Sequence, residues 1–446
     1  MPSAAEQLAS SVNFGAVAKA TELKNRIIFT LLALVVYRLG TYIPIPGVNP
    51  GALDDIFNQN TGGIFGMFDM FAGGALSRMS IFALNIMPYI SASIIIQLMS
   101  STSSHLAQLK KDGESGRQKI TQYTRYGTVF LASIQALGIA SGLEGMTNSQ
   151  GPAIDNPGIF FKITTVITLT GATVFLMWLG EQITARGIGN GISLIIMAGI
   201  VAELPAALIS TLELGKTGAL SGLLILFFLI LAVLVIAFIV FMERGQRRII
   251  IQYPKRQVGM KVMQGQASHL PLKINTAGVI PPIFASSILL LPVTAMSINA
   301  GNGPDWLLNV TSLLGRGQPL YMLLYVSAIV FFAFFYTSVV FNAKDTADNI
   351  KNNGGFVPGI RPGEATAEYI DFILTRLTVI GAIYLSAVCL LPELLISRYA
   401  VPFYLGGTSL LIVVTVTMDL VAQVHSHLIA HQYEGLIKKA KLRGRI

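Results

Sequence analysis

The sequence predicts an all-α polytopic membrane protein with ten transmembrane helices, and three observations carry that prediction. The 446 residues are 53% hydrophobic and only 12% charged, about half the charge of a soluble domain, and the mean hydropathy is positive. Apolar runs long enough to cross a hydrocarbon core of about 30 Å recur ten times along the chain. The basic residues fall mainly in alternate connections between those runs, as the positive-inside rule requires of a multi-pass protein.

The runs lie near 25–43, 76–99, 122–142, 159–180, 190–209, 219–242, 274–296, 319–341, 373–391 and 402–424. The sixth, GLLILFFLILAVLVIAFIVFM, carries no charge. The fifth begins polar, GNGISLIIMAG. The seventh, INTAGVIPPIFASSILLLPVTAM, is diluted by Gly, Pro, Ser and Asn. With the N-terminus cytoplasmic, the N-terminal segment, the even-numbered connections and the C-terminal tail hold 25 of the 31 Lys and Arg. The remaining six are Arg38, Arg78, Lys162, Lys216, Arg316 and Arg398. The expected topology therefore has both termini in the cytoplasm. The isoelectric point near 9.5 is mostly topology, which weakens a nucleic-acid reading. The first 20 residues are polar and small, so no removable signal peptide is expected there. The lone cysteine, Cys389, excludes a disulfide framework within the chain.

One apolar stretch is too short to span. GGIFGMFDMFAGGALSR, residues Gly62 to Arg78, places Ile64, Phe65, Met67, Phe68, Met70 and Phe71 between two glycine pairs. As a helix it would reach about 15 Å, half of the hydrocarbon core. The topology puts it on the external side, leading into the second span. On its own it reads equally as a mobile half-helix or as a re-entrant segment buried in the bundle.

Other chemistry is sparse. Ion-coupled transporters keep ionisable groups at mid-membrane, and here Asp419 is the main candidate, best read as interfacial. The His425, His427 and His431 cluster lacks a carboxylate or Cys partner that would complete a metal site. GKT at Gly215 to Thr217 lacks the glycine a P-loop needs five residues earlier, where Ser210 stands. RGIGNGIS at Arg186 to Ser193 follows no strand and reads as a flexible entry to the fifth span. Neither H-E-x-x-H nor G-x-S-x-G occurs. No catalytic residues, metal or cofactor are expected. The two rival classes, a secondary transporter and a membrane enzyme, each lack the groups they would need.

Two cytoplasmic connections are long, 243–273 and 342–372. In the first, IIIQY and KVMQ flank YPKRQVG and predict a β-hairpin with a basic tip, displaying Arg247, Arg248, Lys255 and Arg256. In the second, FVPGIRPG places Arg361 before Pro362, which biases Arg361 to extended geometry on a stiff turn. Both suit contact with an anionic partner. Pro88 in the second span, and Pro281 and Pro282 in the seventh, predict bends at mid-membrane.

Six blocks are distinctive: LNIMPYISASIIIQLMS (84–100), MWLGEQITARGIGNGIS (177–193), ERGQRR (243–248), HLPLKINTAGVIPPIFASS (269–287), FNAKDTADNIKNNGGFVPGIRPGE (341–364) and VPFYLGGTSLLIVV (401–414). Together they closely resemble the bacterial SecY family, the central channel subunits of the general protein translocase. The likeness runs from about residue 20 to the tail. It implies two inverted pseudo-repeat halves, 25–209 and 210–424, between an N-terminal segment, 1–24, and a tail, 425–446. It implies a pore ring of Ile86, Ile90, Ile196, Ile283 and Ile412, with a sixth position unassigned. Asn85 stands where the family has a small residue. The 62–74 stretch matches the plug, a short mobile helix closing the pore. Spans two and seven would form a lateral gate, with Gln97 and Asn275 pairing across its seam. The implied partners are the SecE and SecG membrane subunits, the SecA ATPase, the translating ribosome, signal sequences, unfolded polypeptide and membrane lipid. The implied location is the cytoplasmic, or inner, membrane.

Overall fold

The computed structural model describes residues 20–49, 69, 72–144, 147–148, 151–152, 154, 156–217, 221–254, 256–258, 261–263, 267–298, 318–399 and 407–443. Among them the chain forms twelve helices and three two-stranded antiparallel sheets. In chain order these are α1 (Thr21–Gly40), α2 (Met87–Thr102), α3 (Ser104–Lys111), α4 (Glu114–Glu144), β1 (Thr147–Asn148), β2 (Gly151–Pro152), α5 (Ile159–Arg186), α6 (Gly191–Lys216) and α7 (Gly222–Arg244). There follow β3 (Gln246–Gln252), β4 (Arg256–Val258), β5 (Lys261–Met263), β6 (Ala267–Lys273), α8 (Ile280–Ile298), α9 (Pro319–Val340), α10 (Ala343–Asn352), α11 (Glu364–Tyr399) and α12 (Gly407–Arg443). Among the described residues, seven helices are long and apolar enough to cross a membrane, and two shorter apolar ones run over Met87–Ser100 and Ile280–Leu289. The chain is a helical, multi-pass membrane protein, as predicted.

Two compact units divide it. The first comprises Met1–Leu208, Leu291–Thr311 and Ile412–Ile446; the second comprises Ile209–Leu290 and Ser312–Leu411.

In the first unit, α4 packs against both α2 and α5, and α1 packs against α5. The cause is a stripe on α4. Thr124, Thr128, Ala132, Ala136 and Ala140 recur every four residues and are all buried, so they share one face. Small side chains there let neighbouring backbones close in, which is the main source of helix affinity in lipid. At one end of the unit, Ala20, Leu23, Ile188 and Leu428 form a cluster, and Gln423 Oε1 accepts from the Gly189 N–H at 2.8 Å. At the other end, Ile45, Leu76, Met79, Ala140, Leu143, Ile154 and Phe161 share a core. There, bridges join Pro44 to Ser80 and Val48 to Ile154. The start of α1, the 187–190 connection and the late turns of α12 thus gather at one end, while the first and third connections gather at the other.

In the second unit, α9 and α10 pack on α11, and a small sheet stands beside α10. Here the hairpin differs from expectation. The IIIQY run pairs with β6 and not with KVMQ: Ile249 lies opposite Leu270 and Ile251 opposite Ser268. The longer pairing lets Ile249, Ile251 and Leu272 bury one face against Ile350, Val357, Ile370 and Leu374, which the short KVMQ segment could not supply. KVMQ lies instead in the smaller β4–β5 hairpin. Gln252 and Phe356 exchange two backbone hydrogen bonds of 2.9 Å, joining the two long connections into one subdomain.

The prolines also act differently from expectation. Pro88 occupies the first turn of α2, whose N-cap is Ile86, and Pro281 and Pro282 occupy the first turn of α8. They begin helices and do not kink them, because a first-turn residue needs no N–H partner and a fixed φ suits it. The second predicted span is therefore helical only from Met87; residues 75–86 are turns around the short bridge at Ser80.

Glycine sets the closest approach in the first unit. A Cβ on Gly191 would collide with the Gly180 carbonyl oxygen and lie 2.8 Å from Ile183 Cβ, whereas one on Gly171 would meet nothing. Backbone cannot yield as a side-chain tip can. Gly191→Ala is expected to cost about 1–3 kcal/mol and to lower the unfolding temperature in detergent, while Gly171→Ala leaves it unchanged.

Candidate functional site

The residues singled out from the sequence lie at helix starts. Ile86 is the N-cap of α2 and accepts from the Ile90 N–H at 3.1 Å, so the two occupy one face, one turn apart. Ile196 is the sixth residue of α6, Ile283 the fourth of α8 and Ile412 the sixth of α12. Ile86, Ile90, Ile196 and Ile412 are buried and belong to the first unit; Ile283 is half-buried and belongs to the second. Helices α6 and α12 touch near two of them, where Thr417 Oγ1 donates to Met197 Sδ at 3.7 Å. The plug residues Ile64, Phe65, Met67, Phe68, Met70 and Phe71, and Lys255, lie outside the described residues.

The segment that leads into α2 has an unusual backbone. Gly73 and Gly74 adopt φ of 66° and 74°, and Met79 and Asn85 adopt 42° and 48°. A Cβ on Gly73 would lie 2.8 Å from Gly199 Cα on α6, so that position requires glycine twice over. Asn85, where a small residue was expected, sits in left-handed backbone. Asn tolerates the left-handed region better than other side chains, and its buried side chain hydrogen-bonds the Tyr37 hydroxyl.

A charged clamp holds this segment. Arg38 Nη1 donates to the Gly73 carbonyl at 2.8 Å. Glu203 Oε1 lies 3.2 Å from Arg78 Nη2 and 3.9 Å from Arg38 Nη2. Both guanidiniums stand over the Tyr42 ring, 5.1 and 4.6 Å from its centre. Asp69 Oδ1 accepts from the Leu76 and Ser77 amides at 2.9 and 2.8 Å. The sequence reading missed the clamp because it treated intramembrane charge as nearly absent. Glu203 sits within the fifth predicted span and corrects that view. The signal was available: two of the basic residues against the charge bias, Arg38 and Arg78, meet the one acid of that span. A third, Lys162, pairs with Glu144 at 2.9 Å.

The two polar residues expected at the gate seam have local partners. Gln97 Nε2 donates to Ser93 Oγ at 3.4 Å, while its buried Oε1 has no partner among the described residues. Asn275 is buried, and its Nδ2 donates to Glu243 Oε1 at 2.6 Å and to the Gly278 carbonyl at 3.1 Å. On the sheet, Arg247 and Arg248 stand opposite Leu272 and Pro271 and are exposed; Arg256 lies on β4. Arg361 is exposed in a turn set by Gly359 at φ 83° and Gly363 at φ 108°. Buried Val357 seats that turn on the subdomain core, and Arg361 forms no ion pair among the described residues.

Residues 80–421 match the SecY family model. Protein translocase subunit SecY of Escherichia coli strain K12 is 57% identical over 424 residues, covering 95% of this chain and 96% of the relative. The chain belongs to the SecY family. The SecY relatives of Pseudomonas aeruginosa and Rickettsia conorii are 57% and 55% identical, over 95% of this chain and 95% and 97% of theirs. In fold, the chain matches a protein-conducting channel at a TM-score of 0.61 and 18% identity, covering 90% of this chain and 92% of that one. It matches Sec61 of the canine ribosome-channel complex at 0.58 and 16%, with the same coverage.

Within this SecY chain the clamp makes a local prediction. Glu203→Ala removes the acceptor shared by two guanidiniums. Hydrogen exchange at amides 74–80 is expected to quicken about fivefold, from the roughly 1 kcal/mol such a partly exposed cluster contributes, with exchange in α4 unchanged.

Proposed function

We propose that the chain is the protein-conducting channel through which unfolded secretory polypeptides cross the cytoplasmic membrane, and from which membrane-protein segments pass sideways into lipid. What supports this reading is the near full-length likeness to translocase subunits on the fold of protein-conducting channels. The family is a channel and not an enzyme, so the driving energy comes from partners.

A pore for varied polypeptide cannot bind sequence strongly, or passage would stall. Aliphatic side chains suit that need, because they offer no hydrogen bonds and yield around a moving chain. Ile86, Ile90, Ile196, Ile283 and Ile412 would form a waist that excludes water at rest. The plug, centred on Ile64 to Phe71, would add steric closure; a relative's plug is described as stabilising the closed state and maintaining a membrane seal. Signal sequences would part α2 and α8, with Gln97 and Asn275 as polar groups favouring the closed seam. Both termini would be cytoplasmic. Arg361, Arg247, Arg248, Lys255 and Arg256 would meet the SecA ATPase or the translating ribosome, and SecE and SecG would complete the membrane complex. Fold relatives occur in ribosome-bound channel complexes.

Ile283→Asn is expected to raise the resting ion conductance of reconstituted channels several-fold, since an amide in the waist eases wetting. An unchanged conductance rejects the seal. Arg361→Glu is expected to abolish most ATP-driven export in inverted vesicles while the protein accumulates normally; parental export rules out that contact.

A further inference from the structure

The start of α8 is built as a bracketed hinge. Its root is tied on two sides. The Ile274 N–H donates to the Gly245 carbonyl at 3.0 Å, just past the end of α7. On the other side Gly381 of α11 approaches so closely that a Cβ there would lie 3.1 Å from the Ile274 carbonyl oxygen. Four residues further on, Gly278 has φ 64°, and a Cβ there would meet nothing within 4 Å. Pro281 and Pro282 then open the helix. They lack the two N–H donors that could have extended hydrogen bonding back into residues 277–278. Among the described residues, the tie across the joint at Gly278 therefore runs through a side chain.

One side chain crosses this joint. Asn275 bonds both the hinge carbonyl of Gly278, at 3.1 Å, and the Glu243 carboxylate, at 2.6 Å. The second is a short charge-assisted bond between buried Asn275 and half-buried Glu243. An ionised carboxylate only accepts, so it orients the Asn275 amide with its donors toward Glu243 and Gly278. We propose that Glu243 is a positioning residue for the gate: through Asn275 it sets the resting angle at which α8 leaves its root. This rests on the reading of α8 as a gate helix. It assigns Asn275 a partner within its own unit, separate from any pairing with Gln97.

The test measures export of a cargo with a defective signal sequence in cells carrying each full-length variant. Glu243→Ala and Asn275→Leu are each expected to raise export roughly tenfold, the scale of one charge-assisted hydrogen bond. The double variant should do no more than either alone. Glu243→Gln retains an oxygen acceptor without the charge and should raise export less than Glu243→Ala, a partial rescue that general damage to packing would not show. Gln97→Leu should add its effect independently. If Asn275→Leu raises export but Glu243→Ala does not, or if their effects multiply, the positioning role is wrong and the gate stands. If none of Asn275→Leu, Glu243→Ala and Gln97→Leu moves export, while intact-signal cargo passes normally, the gate reading itself falls.

Should Glu243→Ala not accumulate, Glu243→Asp keeps the charge and shortens the reach. Spin labels at Ile288→Cys and Ile383→Cys, both exposed sites, in a Cys389→Ser background then report the angle between α8 and α11. A broader distance distribution in Glu243→Asp than in Glu243→Gln supports the bracket, and equal widths overturn it.

Discussion

No water reaches the hydrocarbon core, so every backbone N–H and C=O there must find a partner in protein, and irregular backbone survives only where protein surrounds it. That constraint governs the region on which the channel reading depends. Helix α2 has 16 residues, about 24 Å at 1.5 Å each, short of a ~30 Å core. The missing depth is made of turns. Their amides are nevertheless bonded: Ile45 to Met79, Ile81 to Ile43, Ser80 to Ala75, Ala83 to Ser80 and Asn85 to Phe82, all near 2.9 Å. The turns are also buried, from Ala75 and Met79 through Phe82 to Leu84. A broken span is thus tolerated because α1, α4 and α5 enclose it. The small-residue stripe of α4 that draws α2 and α5 together is what makes the enclosure close enough.

The same constraint explains the charges. A guanidinium at membrane depth is costly unless paired. Arg38 and Arg78 are placed where Glu203 and the Gly73 carbonyl receive them, so their cost is offset while their donors fasten the irregular segment. Glu203 would be a poor neighbour to lipid alone. Among the residues that surround it here, each charge makes the others tolerable, and the resulting rigidity falls on the stretch between the plug sequence and α2.

Spans were legible from the sequence because hydropathy and charge bias are summed over about 20 residues and survive local exceptions. The ends of α4, α5, α7 and α9 fall close to the predicted runs, extended where polar helical turns continue past the apolar part, as Glu364–Tyr399 extends 373–391. What hydropathy could not see was dihedral. Residues 76–86 are as apolar as a helix, yet two non-glycine residues take positive φ and the proline comes after them, so the run breaks at Met87. The hairpin partner was misread for a related reason. Turn chemistry located the tip, but register was decided by Ile249, Ile251 and Leu272 meeting Ile350 and Val357, residues a hundred positions away. A single acid such as Glu203 in an apolar run looks incidental until an arginine from each of two other spans, Arg38 and Arg78, arrives beside it. The candidate ring residues came from family likeness. No periodicity within one helix separates a pore-facing isoleucine from one packed against a neighbour.

The two helices proposed as the gate, α2 and α8, share a construction that neither span shows alone. Each begins with proline, each is short, and each follows a segment held by a carboxylate from a long helix: Glu203 of α6 before α2, Glu243 of α7 before α8. In both, glycine supplies the left-handed joint, Gly73 and Gly74 in one and Gly278 in the other. A proline start removes backbone donors and leaves the helix weakly tied to what precedes it. A carboxylate bracket then restores the tie through side chains, which can be undone by a competing contact far more readily than a continuous helical ladder. Under the proposed gating, that division of roles would let packing keep each helix folded while a few polar bonds at its root set where it points.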